Sequence, residues 1–98
     1  MDITKIEFNK RNYGPDYVSL DFGKYALSVI TGQGAYGGSS GLYEIAIFEN
    51  ASGDFIQLPG IGFTNDDVIG HLSSSSVNGI IKKMFIITGK EPVVELAN

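Results

Sequence analysis

The fold of this chain is decided by residues 25–48, YALSVITGQGAYGGSSGLYEIAIF. Two apolar runs, Tyr25–Thr31 and Leu42–Phe48, flank a loop at residues 32–41 that holds five of the thirteen glycines. Three of these glycines have the G-x-G-x-x-G spacing of a dinucleotide-binding turn, but that turn needs a helix directly after its third glycine. Here Gly-Ser-Ser-Gly and a second strand-like run follow. The pattern therefore predicts two strands joined by a glycine-rich loop.

The residues before this stretch also alternate with the period of strands. Tyr17–Phe22 places Val18, Leu20 and Phe22 on one side, and Gly23-Lys24 has the glycine-first order of a type II′ hairpin. Ile3–Phe8 alternates as well, and Phe55–Leu58 predicts a short strand after a turn at residues 50–54. Strands in simple succession predict an antiparallel meander of four or five strands.

The C-terminal part changes to a helical period. Residues 64–67, Thr-Asn-Asp-Asp, have the composition of a helix start before Val68-Ile69, and Ser73–Ser76 offers a second start. Apolar residues at helical spacing then predict a helix that ends at Gly89. Met84–Thr88 also fits a strand, and Val93–Leu96 fits either a last short strand or a packed tail.

Together these patterns predict a single α+β domain over residues 1–98, with a C-terminal helix beginning near Ser75 and packed on one face of the meander. The predicted core consists of Ile6, Val18, Leu20, Leu27, Val29, Ile45, Ile47, Ile80, Ile81 and Met84.

Composition excludes several classes of protein. With 98 residues, 43% hydrophobic and 18% charged, the chain has the composition of a globular domain. The formal net charge of −4 and the scattered basic residues argue against direct binding to nucleic acid. The absence of cysteine excludes disulfides. No signal peptide or membrane-length apolar run is visible, so we expect a cytoplasmic protein that does not insert in membranes.

Three segments carry a resemblance to a group of proteins. They read LSVITGQGAYG from Leu27, LYEIAIF from Leu42 and DDVIGHLS from Asp66. In this order the segments resemble small uncharacterised proteins of phages and prophages, over roughly residues 27–84. The resemblance implies a viral or prophage setting and an accessory role in the host cytoplasm, and it implies no catalytic residues.

The glycine-rich loop is the first candidate site. Gly34, Ala35, Tyr36, Gly37 and Gly38 form its middle, and Tyr36 is the large side chain there that can anchor a contact with a partner. Its ring can equally fold back onto the sheet. Backbone N–H groups of such a loop can also cradle an anion, and a long loop can serve only as a connector.

His71 is the only histidine and the second candidate. If residues 64–71 were helical, Asp67 would share a face with it. Such a pair can orient a general base, yet a metal site needs three or four ligands, and the nearby serines fit helix caps. We therefore predict no catalytic site, no metal and no cofactor.

These observations favour a non-catalytic interaction protein, a phage or prophage accessory factor that binds and modulates a host protein. The alternative is a small ligand-binding module that uses the loop from Gly32 to Gly41 for a nucleotide or another anion. Self-association into a homo-oligomer is compatible with both, because a small meander leaves strand edges that can pair.

Overall fold

The computed structural model describes residues 1–95, which form a six-stranded sheet and one α-helix. The strands are β1 (Asp16–Asp21), β2 (Tyr25–Thr31), β3 (Tyr43–Glu49), β4 (Phe55–Ile56), β5 (Val68–Leu72) and β6 (Val93–Glu95). The helix α1 is Ser74–Thr88, and two short 3-10 helices lie at Ile3–Lys5 and Gly38–Ser40. The predicted α+β class is confirmed.

The sheet is antiparallel, in the order β4-β3-β2-β1-β6. Strands β1 to β4 form the predicted meander, and β6 returns from the end of α1 to pair with β1. Strand β5 pairs with the same edge of β3 as β4 does, because β4 opposes Ile47 and Phe48 while β5 opposes residues 43–46. Two short strands therefore share one edge of β3.

The hairpin between β1 and β2 has the predicted two-residue turn. The Phe22 N–H donates to the Tyr25 carbonyl at 2.8 Å. Gly23 occupies the first turn position with a φ of +89°, which a residue with a Cβ adopts only with strain. The Asp21 carboxylate accepts the Gly23 N–H at 2.8 Å and fixes the turn further.

Helix α1 has a serine cap at its N-terminus and a glycine cap at its C-terminus. The Ser73 hydroxyl accepts the Ser76 N–H at 3.1 Å, and the Gly89 N–H donates to the Phe85 carbonyl at 2.7 Å. Residues 84–88 continue the helix, so the strand alternative for them is wrong.

The core lies between α1 and one face of the sheet. All the predicted core residues are buried except Ile6, which is half-buried against the same core. The core also contains residues outside the predicted set: Ile3, Phe22, Ile61 and Val77.

The predicted strand at Ile3–Phe8 is wrong, because the N-terminus is attached to α1. The Ile3 N–H donates to Asn78 Oδ1 at 2.8 Å, and the Ile3 side chain is buried. Asp2 Oδ1 accepts the Thr4 hydroxyl at 2.8 Å and the Thr4 N–H at 3.0 Å, which starts a 3-10 helix. These bonds from Thr4, together with one from the Asn78 amide, hold the pKa of Asp2 below its ordinary value.

The predicted helix start at residues 64–69 is also wrong. Val68 and Ile69 pair with Ala46 and Ile45 of β3, and Ile69 packs against the core. β-branched residues suit this pairing, and the edge of β3 satisfies their backbone groups. The last segment forms the three-residue β6, and Leu96 lies outside the described residues.

Candidate functional site

The glycine loop, residues 32–41, has a fixed fold stabilised by its own backbone. The Ala35 N–H donates to the Gly32 carbonyl at 3.2 Å, and the Gly38 N–H donates to the Ala35 carbonyl at 2.9 Å. The Leu42 N–H then donates to the Gly37 carbonyl at 3.0 Å and returns the chain to β3. The loop thus consists of consecutive tight turns.

Two glycines of the loop are required by close packing. Gly38 is buried, and a Cβ there would overlap the Gly32 carbonyl group. Gly37 has a φ of +84°, and a Cβ there would lie 2.9 Å from the Cα of His71. The glycines therefore allow the loop to fold on itself and to lie against β5.

Tyr36 is held through its backbone while its ring faces solvent. Its N–H donates to Glu44 Oε1 at 3.0 Å, and its carbonyl accepts the His71 N–H at 3.0 Å. Gly70 leaves space for this contact, because a Cβ there would lie 2.5 Å from the Tyr36 Cβ. The Tyr36 side chain is nevertheless 61% exposed.

A bulge in β5 places the histidine beside this tyrosine. Tyr43 pairs with Leu72 and Ile45 with Ile69, so two residues of β5 oppose the single Glu44 of β3. His71, one of these two, has a φ of +57°, in the left-handed region that residues with a side chain seldom adopt. Its ring stacks on that of the tyrosine, with centroids 6.4 Å apart and an angle of 20° between the planes.

The structure separates the predicted site residues by exposure. Tyr36 and Gly34 are exposed, Ala35 and Gly37 are half-buried, and Gly38 is buried. A partner can therefore contact Gly34 and Tyr36, whereas Gly38 is buried inside the loop.

The Asp67–His71 pair considered from the sequence does not form. His71 lies in β5, and Asp67 directly precedes that strand. Asp67 Oδ1 accepts a hydrogen bond from the Gln57 side-chain amide at 3.1 Å. Within residues 1–95, no group of three or more histidine, cysteine, aspartate or glutamate residues is placed to hold a metal ion.

The sheet has a second face, opposite α1. Its side chains alternate with those of the core along each strand, and they do not belong to the core cluster. No helix within residues 1–95 packs on this face, which we call the open face. It consists of Tyr17, Ser19, Asp21, Ala26, Ser28, Ile30, Glu44, Ala46, Phe48, Phe55, Val68, Gly70, Val93 and Glu95.

The open face carries aromatic side chains in contact with one another and with a cation. Phe48 and Phe55 have ring centroids 4.4 Å apart, and Phe55 is 50% exposed. The Arg11 guanidinium lies 4.0 Å from the centroid of the Tyr17 ring. Because Glu44 and Gly70 belong to this face, Tyr36 covers one end of it. The alternation in β1 to β3 was the sequence signal for such a face.

Two of the clefts beside α1 have Lys82 with Glu91, or Lys83, as their ionisable lining residues. One of about 250 Å³ is lined by Met1, Ile81, Lys82, Phe85 and their neighbours, and one of about 350 Å³ lies between residues 57–63 and Lys83. In the described part of the chain, neither is lined by serine, threonine or histidine.

Comparisons with known proteins add no assignment. No protein-family model, curated protein or solved structure matches this chain. Among residues 1–95, no helix is both long enough and apolar enough to cross a membrane.

Proposed function

We propose that this chain is a non-catalytic interaction protein that binds another protein through Tyr36 and the adjoining open face. The observation that carries this proposal is the ring of Tyr36, 61% exposed on a backbone fixed by two hydrogen bonds. A tyrosine provides a large contact area with few rotatable bonds. Because its backbone is already ordered, little conformational entropy is lost when a partner covers the ring.

The geometry supports a protein partner better than a nucleotide or another anion. Half of the ten N–H groups of the glycine loop donate within the protein, namely those of Ala35, Tyr36, Gly38, Ser40 and Gly41. The Tyr36 N–H is already paired with the Glu44 carboxylate, and a second negative group beside it would be repelled. An anion-binding nest needs such groups free.

The resemblance to phage and prophage proteins supports a host protein as the partner and the host cytoplasm as the place of binding. In this proposal the chain modulates that protein by occupying part of its surface, and it carries out no chemical step. The absence of a basic patch among its seven basic residues is consistent with a protein rather than a nucleic acid as the direct partner.

A capture experiment with matched tyrosine variants tests the proposal. Wild type, Tyr36→Ala and Tyr13→Ala are immobilised, incubated with host lysate and compared by quantitative mass spectrometry. Tyr13 is 91% exposed on another loop and controls for the loss of an exposed ring. We expect a protein that wild type and Tyr13→Ala retain and that Tyr36→Ala binds at least tenfold more weakly, a loss of about 1.4 kcal/mol.

Two results would overturn the proposal. One is the absence of any protein retained by wild type above an unrelated acidic control. The other is equal retention by Tyr36→Ala, provided that circular dichroism shows the variant to be folded.

A further inference from the structure

The open face has the dimensions of a docking site for a short helix. Larger side chains at Ile30 and Phe48 lie on either side of smaller ones at Ser28 and Ala46. We call the strip of smaller side chains between Ile30 and Phe48 the channel. Its width, measured along the strands, is four residues or about 13 Å, and its length, measured across β1, β2, β3 and β5, is about 14 Å. An α-helix with its side chains is about 10–12 Å wide and rises about 15 Å in ten residues.

The charges on this face are predominantly acidic. Asp21, Glu44 and Glu95 belong to it, and the Arg11 guanidinium lies against its Tyr17 ring. Asp21 Oδ1 accepts the Gly23 N–H and the Asn50 side-chain amide, and Glu44 Oε1 accepts the Tyr36 N–H, so each carboxylate uses one oxygen in these bonds. Neither forms an ion pair with another of the described residues. A surface that combines aromatic and aliphatic side chains with small polar ones and negative charges is complementary to an amphipathic segment that carries positive charges.

We infer that the open face binds a cationic amphipathic helix of the partner protein, about three turns long, with lysine or arginine beside its apolar stripe. This inference rests on the proposed function and specifies the partner's chemistry. The apolar stripe of that helix lies in the channel beside Phe48 and Phe55, and its end contacts Tyr36. Its basic side chains pair with Asp21, Glu44 and Glu95.

A second copy of this chain fits the same face less well. Two open faces brought together would oppose their acidic groups, which costs free energy on association. Pairing through strand edges is also limited, because the strands at the edges of the described sheet are short or bulged: β4 has two residues, β6 has three, and β5 carries the bulge.

A pair of designed peptides tests this inference directly. The first is a 12-residue amphipathic helix with leucine on one side and lysine on the other, and the second has glutamate at every lysine position. Each is titrated into ¹⁵N-labelled protein. We expect the lysine peptide to shift the amide signals of Ser19, Ser28 and Ala46 and to bind at least tenfold more tightly than the glutamate peptide. Added salt is expected to weaken this binding.

Variants of the protein distinguish the open face from the rest of the surface. Ser28→Lys puts a positive charge in the centre of the channel and is expected to weaken binding of the lysine peptide at least tenfold. Ser75→Lys, at an exposed position on α1 and away from this face, is the matched control and is expected to bind like wild type. Glu95→Gln, at an exposed position, is expected to weaken binding two- to threefold without disturbing the fold.

The outcomes separate this inference from the proposed function. Shifts confined to α1, equal binding of both peptides, or self-association through the open face would overturn the inference. If neither peptide binds but the lysate still yields a Tyr36-dependent partner, the inference is overturned and the proposed function stands. If the lysine peptide binds the open face but no Tyr36-dependent partner is found, the proposed function is overturned and the inferred partner helix with it, although the open face is shown to bind a helix of this kind.

Discussion

Replacing Gly70 with alanine tests whether the glycine loop is packed on β5 as described. The added Cβ would lie 2.5 Å from the Tyr36 Cβ, whereas non-bonded carbons prefer about 3.5–4.0 Å. The loop must therefore move by about 1 Å, which lengthens the 3.0 Å hydrogen bond from the His71 N–H beyond bonding distance. Overpacking costs about 1–3 kcal/mol and the hydrogen bond about 1 kcal/mol, so we expect a loss of about 2–4 kcal/mol.

The measurement is thermal unfolding followed by circular dichroism, with Gly79→Ala as the control. A loss of this size lowers the Tm by about 10–20 °C in a domain of this length. Gly79 lies within α1 with no other atom near its missing Cβ, so alanine there is expected to add about 1 kcal/mol and raise the Tm. Faster exchange of the His71 amide in Gly70→Ala would locate the damage. A Gly70→Ala protein as stable as wild type would refute the described packing.

Three further changes have expected outcomes. Ser73→Ala removes the cap of α1 and is expected to cost about 1 kcal/mol in urea unfolding, whereas Ser75→Ala, inside the first turn, is expected to be neutral or slightly stabilising. His71→Gly is expected to be about 1 kcal/mol more stable than His71→Ala, because both lose the ring but only glycine adopts a φ of +57° without strain; equal stabilities would contradict this. Since hydrogen bonds from Thr4 lower the pKa of Asp2 in the folded protein, its contribution to stability is present above the ordinary pKa of 3.8 and is lost as the pH falls through the lower folded value. Comparing Asp2→Asn with wild type across that range, together with an NMR titration of the carboxylate, checks the direction.

The central strands were predictable because their large core side chains recur at every second position: Leu27 and Val29 in β2, and Ile45 and Ile47 in β3. The loop between the two strands then favours antiparallel pairing. Helix α1 was predictable for a similar reason, since its buried residues have helical spacing and lie between a serine cap and Gly89. In these elements local pattern and tertiary packing favour the same structure.

The two wrong elements depend on contacts between residues far apart in the chain. Ile3 is buried because its N–H bonds to Asn78, and nothing near Ile3 in sequence indicates that partner. Val68 and Ile69 are a strand because β3 has a free edge beyond β4, and the acidic residues before them then serve as a turn rather than a helix cap. Pairing overrides local propensity here.

Tyr36 could be selected from the sequence as a candidate contact residue, but its contacts with β5 could not be predicted. The sequence indicates Tyr36 as the large side chain of the glycine loop, and its role as a contact residue stays a prediction. The hydrogen bond between its carbonyl and the His71 N–H joins residues 35 positions apart in the sequence, and the bulge beside it depends on the pairing of β5 with β3. Gly70, directly before the histidine, was the one local sign that another backbone approaches β5 there.

The order of elements along the chain has a consequence for synthesis on the ribosome. Strands β1 to β3 are complete once residue 49 has been made, but the helix that covers Leu20 and Ile45 is complete only at Thr88. At about 5–20 residues per second, this interval lasts about 2–8 s. A nascent sheet with one uncovered apolar face is prone to aggregate during that time. Chaperone binding to the nascent chain is therefore expected to be strongest in this window and to end when α1 docks.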